Sequence, residues 1–137
     1  MEIRAAVPED AIWLKPIWDE KIFWQFGIIW WRYWNVGYKG KGQIKPGEFW
    51  IVIEGAAFCH YNLRRDGVKV VHEIGVAESS RRMGCATALL DYVGIPITLK
   101  TDCANAPSNA FYRAYGMLPA AKTRAKSGKE MMIYEKR

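Results

Sequence analysis

Residues 79–93, SSRRMGCATALLDYV, join two arginines, a glycine and small residues to an apolar helical run. The core of the stretch, Arg81, Arg82, Met83, Gly84, Cys85 and Ala86, has the form R-x-x-G-x-A. That order suits an anion. Free N–H groups at a helix N-terminus converge on phosphate, the helix dipole favours negative charge, and glycine lets phosphate oxygens approach the backbone. Gly84 and Ala86 keep such a cradle open; the plainer alternative is a capped surface helix beside solvated arginines. A hairpin sets a second chemical pair. A two-residue turn at Asp66 and Gly67 places His60 opposite Glu73 and Tyr61 opposite His72. His60 and Glu73 then share a polar face with Asn62, bridged by a water. Tyr61, His72, Leu63, Ile74 and Val76 share the other face, which reads as core.

The elements that must position these residues follow from pattern. EIRAA (2–6) alternates like a first strand, and Pro8, Glu9 and Asp10 supply a helix start, with a second start at Pro16. Trp18, Ile22, Phe23, Phe26, Ile29, Trp30, Tyr33 and Trp34 recur at helical spacing, divided by Gly27 and ended by Asn35 and Gly37. Trp24, Trp30, Trp31 and Trp34 read first as packing against a sheet and second as stacking surfaces for a ligand. After the basic loop GYKGKGQIKPG, FWIVIEG and AAFCHYNL form paired strands, and VKVVHEIGV follows the RRDG turn. MGCATALLDYV is a short helix closed by Gly94, IPITLKT a strand, and SNAFYRAYG a helix ending at Gly116. MLPAA and KEMMIYEKR close the chain as a hairpin across KTRAKSGK. The sum is a mixed α/β (α+β) sheet flanked by helices.

With 137 residues, half of them hydrophobic, the chain is the size of one domain, residues 1–137. Cys59, Cys85 and Cys103 are odd in number and widely spaced, which suits a reducing, cytoplasmic setting rather than a disulfide framework, and no metal spacing is present. The N-terminus lacks a secretory pattern, and IFWQFGIIWW is too short to span a membrane. A net charge of +6 favours an anionic partner without naming one.

The segment from Val68 to Met117 resembles the GNAT superfamily of N-acetyltransferases. Its acetyl-CoA motif is matched by Arg81 to Ala86, and its second motif, an Asn before an aromatic pair and a terminal glycine, by Asn105, Ser108, Phe111, Tyr112 and Gly116. The resemblance implies a mixed, mostly antiparallel central sheet, and acetyl-CoA as cosubstrate without a metal. Backbone groups of Ile74, Gly75 and Val76 would pair with the pantetheine arm, and amides from Arg82 to Thr87 would hold the pyrophosphate. Arg81 or Arg82 would add charge, and Asn105, Ser108 and Tyr112 would complete the cofactor site. Cys85 reads as a small helix residue, not a nucleophile. The helix after Gly84 is unusually short, and the tryptophan-rich N-terminal third matches no motif of the family.

The implied chemistry is direct attack of a primary amine on a thioester, which needs a neutral amine, a polarised carbonyl and a proton for the departing thiolate. Tyr112, often the general acid in this family, is protonated at neutral pH. Glu73, with His60, is the candidate base. Its task depends on the acceptor: a lysine amine costs roughly 4 to 5 kcal/mol to neutralise at pH 7, a protein α-amine only about 1. The acceptor, a small molecule or a protein, is not legible, and a homodimer stays open. Two alternatives remain: a GNAT-like domain that binds CoA without catalysis, and a small basic nucleic-acid module, which the scattered basic residues and missing recognition motifs disfavour.

Overall fold

The computed structural model describes residues 1–19 and 48–137. Trp24, Trp30, Trp31 and Trp34, the helical run assigned to them and the basic loop that follows lie outside these residues. The described chain runs β1 (Arg4–Ala5), a 3-10 turn (Pro8–Asp10), α1 (Ala11–Asp19), β2 (Glu48–Ile53), β3 (Ala57–Leu63), β4 (Lys69–Val76), a 3-10 turn (Glu78–Ser80), α2 (Cys85–Val93), β5 (Ile97–Asp102), α3 (Ala106–Ala114), β6 (Leu118–Arg124) and β7 (Glu130–Lys136). The strands form one seven-stranded sheet in the order β1-β2-β3-β4-β5-β7-β6. Among the described strands β4 and β5 pair in parallel, and the other neighbours pair antiparallel.

Each face of the sheet is covered by a helix whose apolar residues recur at the right interval. On α2, Cys85, Leu89, Leu90 and Val93 form a buried stripe. They pack with Ile51, Ala57, Cys59, Val71, Leu99 and Tyr134 from the strands and Tyr112 from α3. Burying a leucine this way contributes about 2 kcal/mol. Gly94, at φ +77°, ends α2 by donating its N–H to Leu90 O. On the opposite face Leu14 and Ile17 of α1 cover Trp50, Val52 and Phe58.

Asp10 fixes where α1 begins. Its carboxylate, 4% exposed, accepts two bonds of 2.8 Å from Arg4, one from the Val7 amide and one from the Trp13 indole. Burial opposes the charge, but these donors outweigh it and hold the carboxyl down at about 2. Pro16 lies inside α1 rather than starting a second helix. It has no N–H to give to Ile12 O, but both residues are exposed, so that side of the helix faces water. The closing hairpin is tighter than expected, because Lys122, Thr123 and Arg124 belong to β6 and pair with Met132, Met131 and Glu130.

Candidate active site

The sheet opens at its one described parallel junction. β4 and β5 pair through Lys69–Ile97, Val70–Thr98 and Val71–Leu99, and beyond these the ladder between them stops. β4 stays paired with β3 as far as Val76, and β5 with β7 as far as Asp102. The facing edges of both strands therefore present backbone groups to the gap, where an extended amide-bearing arm can pair with them.

The phosphate-type loop follows directly on β4, one of the two strands that border this gap. After the 3-10 turn, Arg82 adopts φ +67° and Gly84 φ +81°, and α2 starts at Cys85. A Cβ at Gly84 would meet nothing within 4 Å, so the space above the helix N-terminus is open. Arg81, Arg82, Met83 and Thr87 are exposed and Ala86 is half-buried, whereas Cys85 is buried with its thiol 3.8 Å from Ser80 O. A cleft of about 490 Å³ between α1 and the loop is lined by Trp13, Pro16, Ile17, Ala77, Glu78 and Ser79 and includes none of Glu73, His60 and Tyr112.

Gly75 carries a packing constraint that the sequence reading did not include. A Cβ there would lie 2.5 Å from Phe58 Cε1 and 3.2 Å from Ile17 Cγ2. The missing side chain lets Phe58 and α1 close over β4.

On the α2–α3 face, Tyr112 is 8% exposed and its hydroxyl makes no hydrogen bond among the described residues. Burial, with a smaller contribution from Cys59, pushes it up to about 12. Cys59 is fully buried, and its thiol is raised by burial and then by the Glu73 charge. Tyr112 is held by its helix. Asn105 caps α3, its Oδ1 accepting from Ser108 N at 3.1 Å. Asn109 donates to Asp102 O and Asn105 O, while the buried Tyr134 hydroxyl donates to Asn109 Oδ1 at 2.6 Å and accepts from Arg113 Nε at 3.2 Å. Asn109 and Tyr134 were not singled out from sequence, because their pairing joins a helix to a strand 25 residues away.

On the α1 face, His60 Nδ1 lies 2.5 Å from Glu73 Oε2. The contact is direct and needs no water bridge, since the two are cross-strand partners. Two departures from the expected hairpin cancel. The turn holds an additional residue, with Leu63 opposite Lys69, Arg64 N donating to Val68 O, and Gly67 at φ +87°. A bulge then shifts the register between His60 and Tyr61, so Tyr61 faces Val71 rather than His72. His72 becomes the additional residue; it is exposed, hydrogen-bonded to Asn62 Oδ1 and not part of the core. Leu63, also expected in the core, is 51% exposed at the strand end.

His60 has a second carboxylate partner that the sequence reading missed, Glu48 Oε2 at 3.2 Å from Nε2. The signal was present: alternation in EFWIVI puts Glu48 and Trp50 on one face, next to His60. Among the described residues no group of three or more His, Cys, Asp or Glu could hold a metal ion, and no helix is long and apolar enough to cross a membrane.

No family model matches the sequence and no curated protein matches it. Solved structures do. A Desulfovibrio desulfuricans protein assigned to the acetyltransferases of the GNAT family is similar at 18% identity, covering 99% of this chain and 98% of that one with a TM-score of 0.77. The ribosomal-protein-S18-alanine N-acetyltransferase of Escherichia coli is similar at 17% identity over 98% and 91%, TM-score 0.65. A Bacillus anthracis protein assigned as a streptothricin acetyltransferase, solved in complex with acetyl coenzyme A, is similar at 14% identity over 69% and 66%, TM-score 0.60. At these identities the likeness defines architecture: the chain has the fold of the GNAT acetyltransferases.

Proposed function

We propose that this chain is an acetyl-CoA-dependent N-acetyltransferase that moves an acetyl group to a primary amine by direct attack. One observation carries the reading: the β4–β5 ladder stops after Val71–Leu99, which leaves two strand edges open next to a helix N-terminus that is clear above Gly84; the buried Tyr112 hydroxyl and the paired Glu73 and His60 are the acid and base we assign to it. The fit to acetyl-CoA rests on the open space at Gly84, whose left-handed backbone and missing side chain leave the α2 amides clear for a pyrophosphate. Arg81 and Arg82 would add positive charge there, and the backbone of Ile74, Gly75 and Val76 would pair with the pantetheine amides. Asn105 and Ser108, engaged in the α3 cap, would act by holding Tyr112 in place.

Bound acetyl-CoA supplies a thioester, whose C–S bond breaks as the C–N bond to the amine forms. Glu73, held by His60, takes the proton that the amine loses. Tyr112 donates a hydrogen bond to the departing sulfur. At about 12, against about 8.5 for an ordinary thiol, Tyr112 stays protonated and favours donation over full transfer. The same dry wall raises a thiol too, which narrows that gap.

The test is free-thiol release from acetyl-CoA with a panel of primary amines: peptides with free α-amines, lysine, and polyamine or aminoglycoside-like compounds. Amine-dependent release that falls in both Glu73→Gln and Tyr112→Phe supports the reading. Acetyl-CoA binding with no turnover on any amine supports a CoA-binding domain instead.

A further inference from the structure

We propose that Glu48 is a positioning residue for the Glu73 base, acting through His60: it keeps the imidazole aimed at Glu73 while Glu73 carries the proton taken from the amine. This rests on the acetyltransferase reading above. The three side chains form a line across three strands. Glu73 and His60 are each 12% exposed and Glu48 24%, with Nδ1 2.5 Å from Glu73 and Nε2 3.2 Å from Glu48. Carboxylates only accept, so both bonds form together when the ring carries both protons.

The Trp50 ring lies on the imidazole, centroids 4.2 Å apart and planes 6° apart. This stacking fixes the plane of the ring but not its direction. A half-turn about Cβ–Cγ keeps the stack and replaces Nδ1 with a C–H, so the hydrogen bonds alone decide which edge meets Glu73. While Glu73 is ionised, its own charge-assisted bond suffices. Once it is protonated that bond weakens to roughly half, and Glu48 is the carboxylate that still holds Nε2. His72, 5.0 Å from the ring, is tied to Asn62. One strand, β2, thus delivers both the stack and the second carboxylate.

The chain has two histidines, so imidazole ¹H–¹⁵N spectra of labelled full-length protein resolve the question, with His72→Gln assigning the signals. Glu73→Gln imitates the protonated carboxyl. The His60 Nδ1–H signal is expected to persist in Glu73→Gln and in Glu48→Leu, and to be lost in the double variant. Survival of the signal in the double variant overturns the proposal, and so does its loss in Glu48→Leu alone, which would make Glu48 merely structural. Acetyl-CoA titration of each variant checks the fold. A wild type that does not bind acetyl-CoA overturns the functional reading beneath the proposal and is seen separately from the imidazole signal.

Discussion

The two faces of the sheet beside the β4–β5 gap set up their chemistry in opposite ways. Tyr112, on the α2–α3 face, is surrounded by Phe111, Tyr134 and Cys59, and no described donor or acceptor meets its hydroxyl. Its proton affinity is set by dryness. Glu73, on the α1 face, is bound by His60, which is itself bound by Glu48 and stacked on Trp50. Its direction is set by partners. In the proposed mechanism this suits the two roles: an acid can be tuned by removing neighbours, whereas a base that must meet a moving amine has to be aimed.

With Glu73 as the proposed base and Tyr112 as the proposed acid, the Glu73 side is expected to be the more sensitive to substitution. Glu73→Gln should lower turnover about 1,000-fold at neutral pH. The loss should shrink as pH approaches the acceptor's own pKa, where the amine is already neutral; a pH-independent loss would take proton abstraction away from Glu73. Tyr112→Phe should lower turnover about 100-fold, as for loss of one transition-state donor. Its unfolding free energy should change by less than about 1 kcal/mol, because the hydroxyl has no described partner to lose. A large destabilisation would show that the acid side is also built on partners.

Two smaller effects probe how α1 is held on the sheet. Asp10 titrates at about 2 folded and 3.8 unfolded, so its ionised form stabilises the fold by about 2 kcal/mol above roughly pH 4. That stability disappears as pH falls through about 2. Denaturant unfolding of Asp10→Asn should show a deficit of about this size at pH 7 that closes on acidification; a constant gap would contradict the ion-pair account. Gly75→Ala should cost about 1 to 3 kcal/mol through the Phe58 clash, with turnover falling as α1 shifts away from β4.

Much of the architecture was legible because its signals are local. Gly94 and Gly116 mark helix ends, and the apolar runs of β2 and β3, joined by a tight turn, mark paired strands. The His60–Glu73 pairing was reached by counting from a turn, and it holds because the longer turn and the bulge at His72 offset each other. Counting cannot see a bulge, which is why His72 falls outside the core and Tyr61, although packed on the core as expected, pairs with Val71 instead of His72. Arg4 with Asp10, and Asn109 with Tyr134, depend on where separate elements dock, which no local pattern encodes, whereas Glu48 shares a strand face with Trp50 and needed only the β2–β3 register to be found. Pro16 misled for a related reason: proline suits a helix start, but the 3-10 turn at Pro8–Asp10 already provided one.

The central claim, that the gap and the α2 N-terminus hold acetyl-CoA, is tested most directly by calorimetric titration of the wild type beside Gly84→Asn. Asparagine tolerates the left-handed backbone that Gly84 adopts, so the variant keeps the fold while filling the cradle. The account predicts micromolar binding of acetyl-CoA by the wild type and its loss in the folded variant. No binding by the wild type, or equal binding by both, would contradict it.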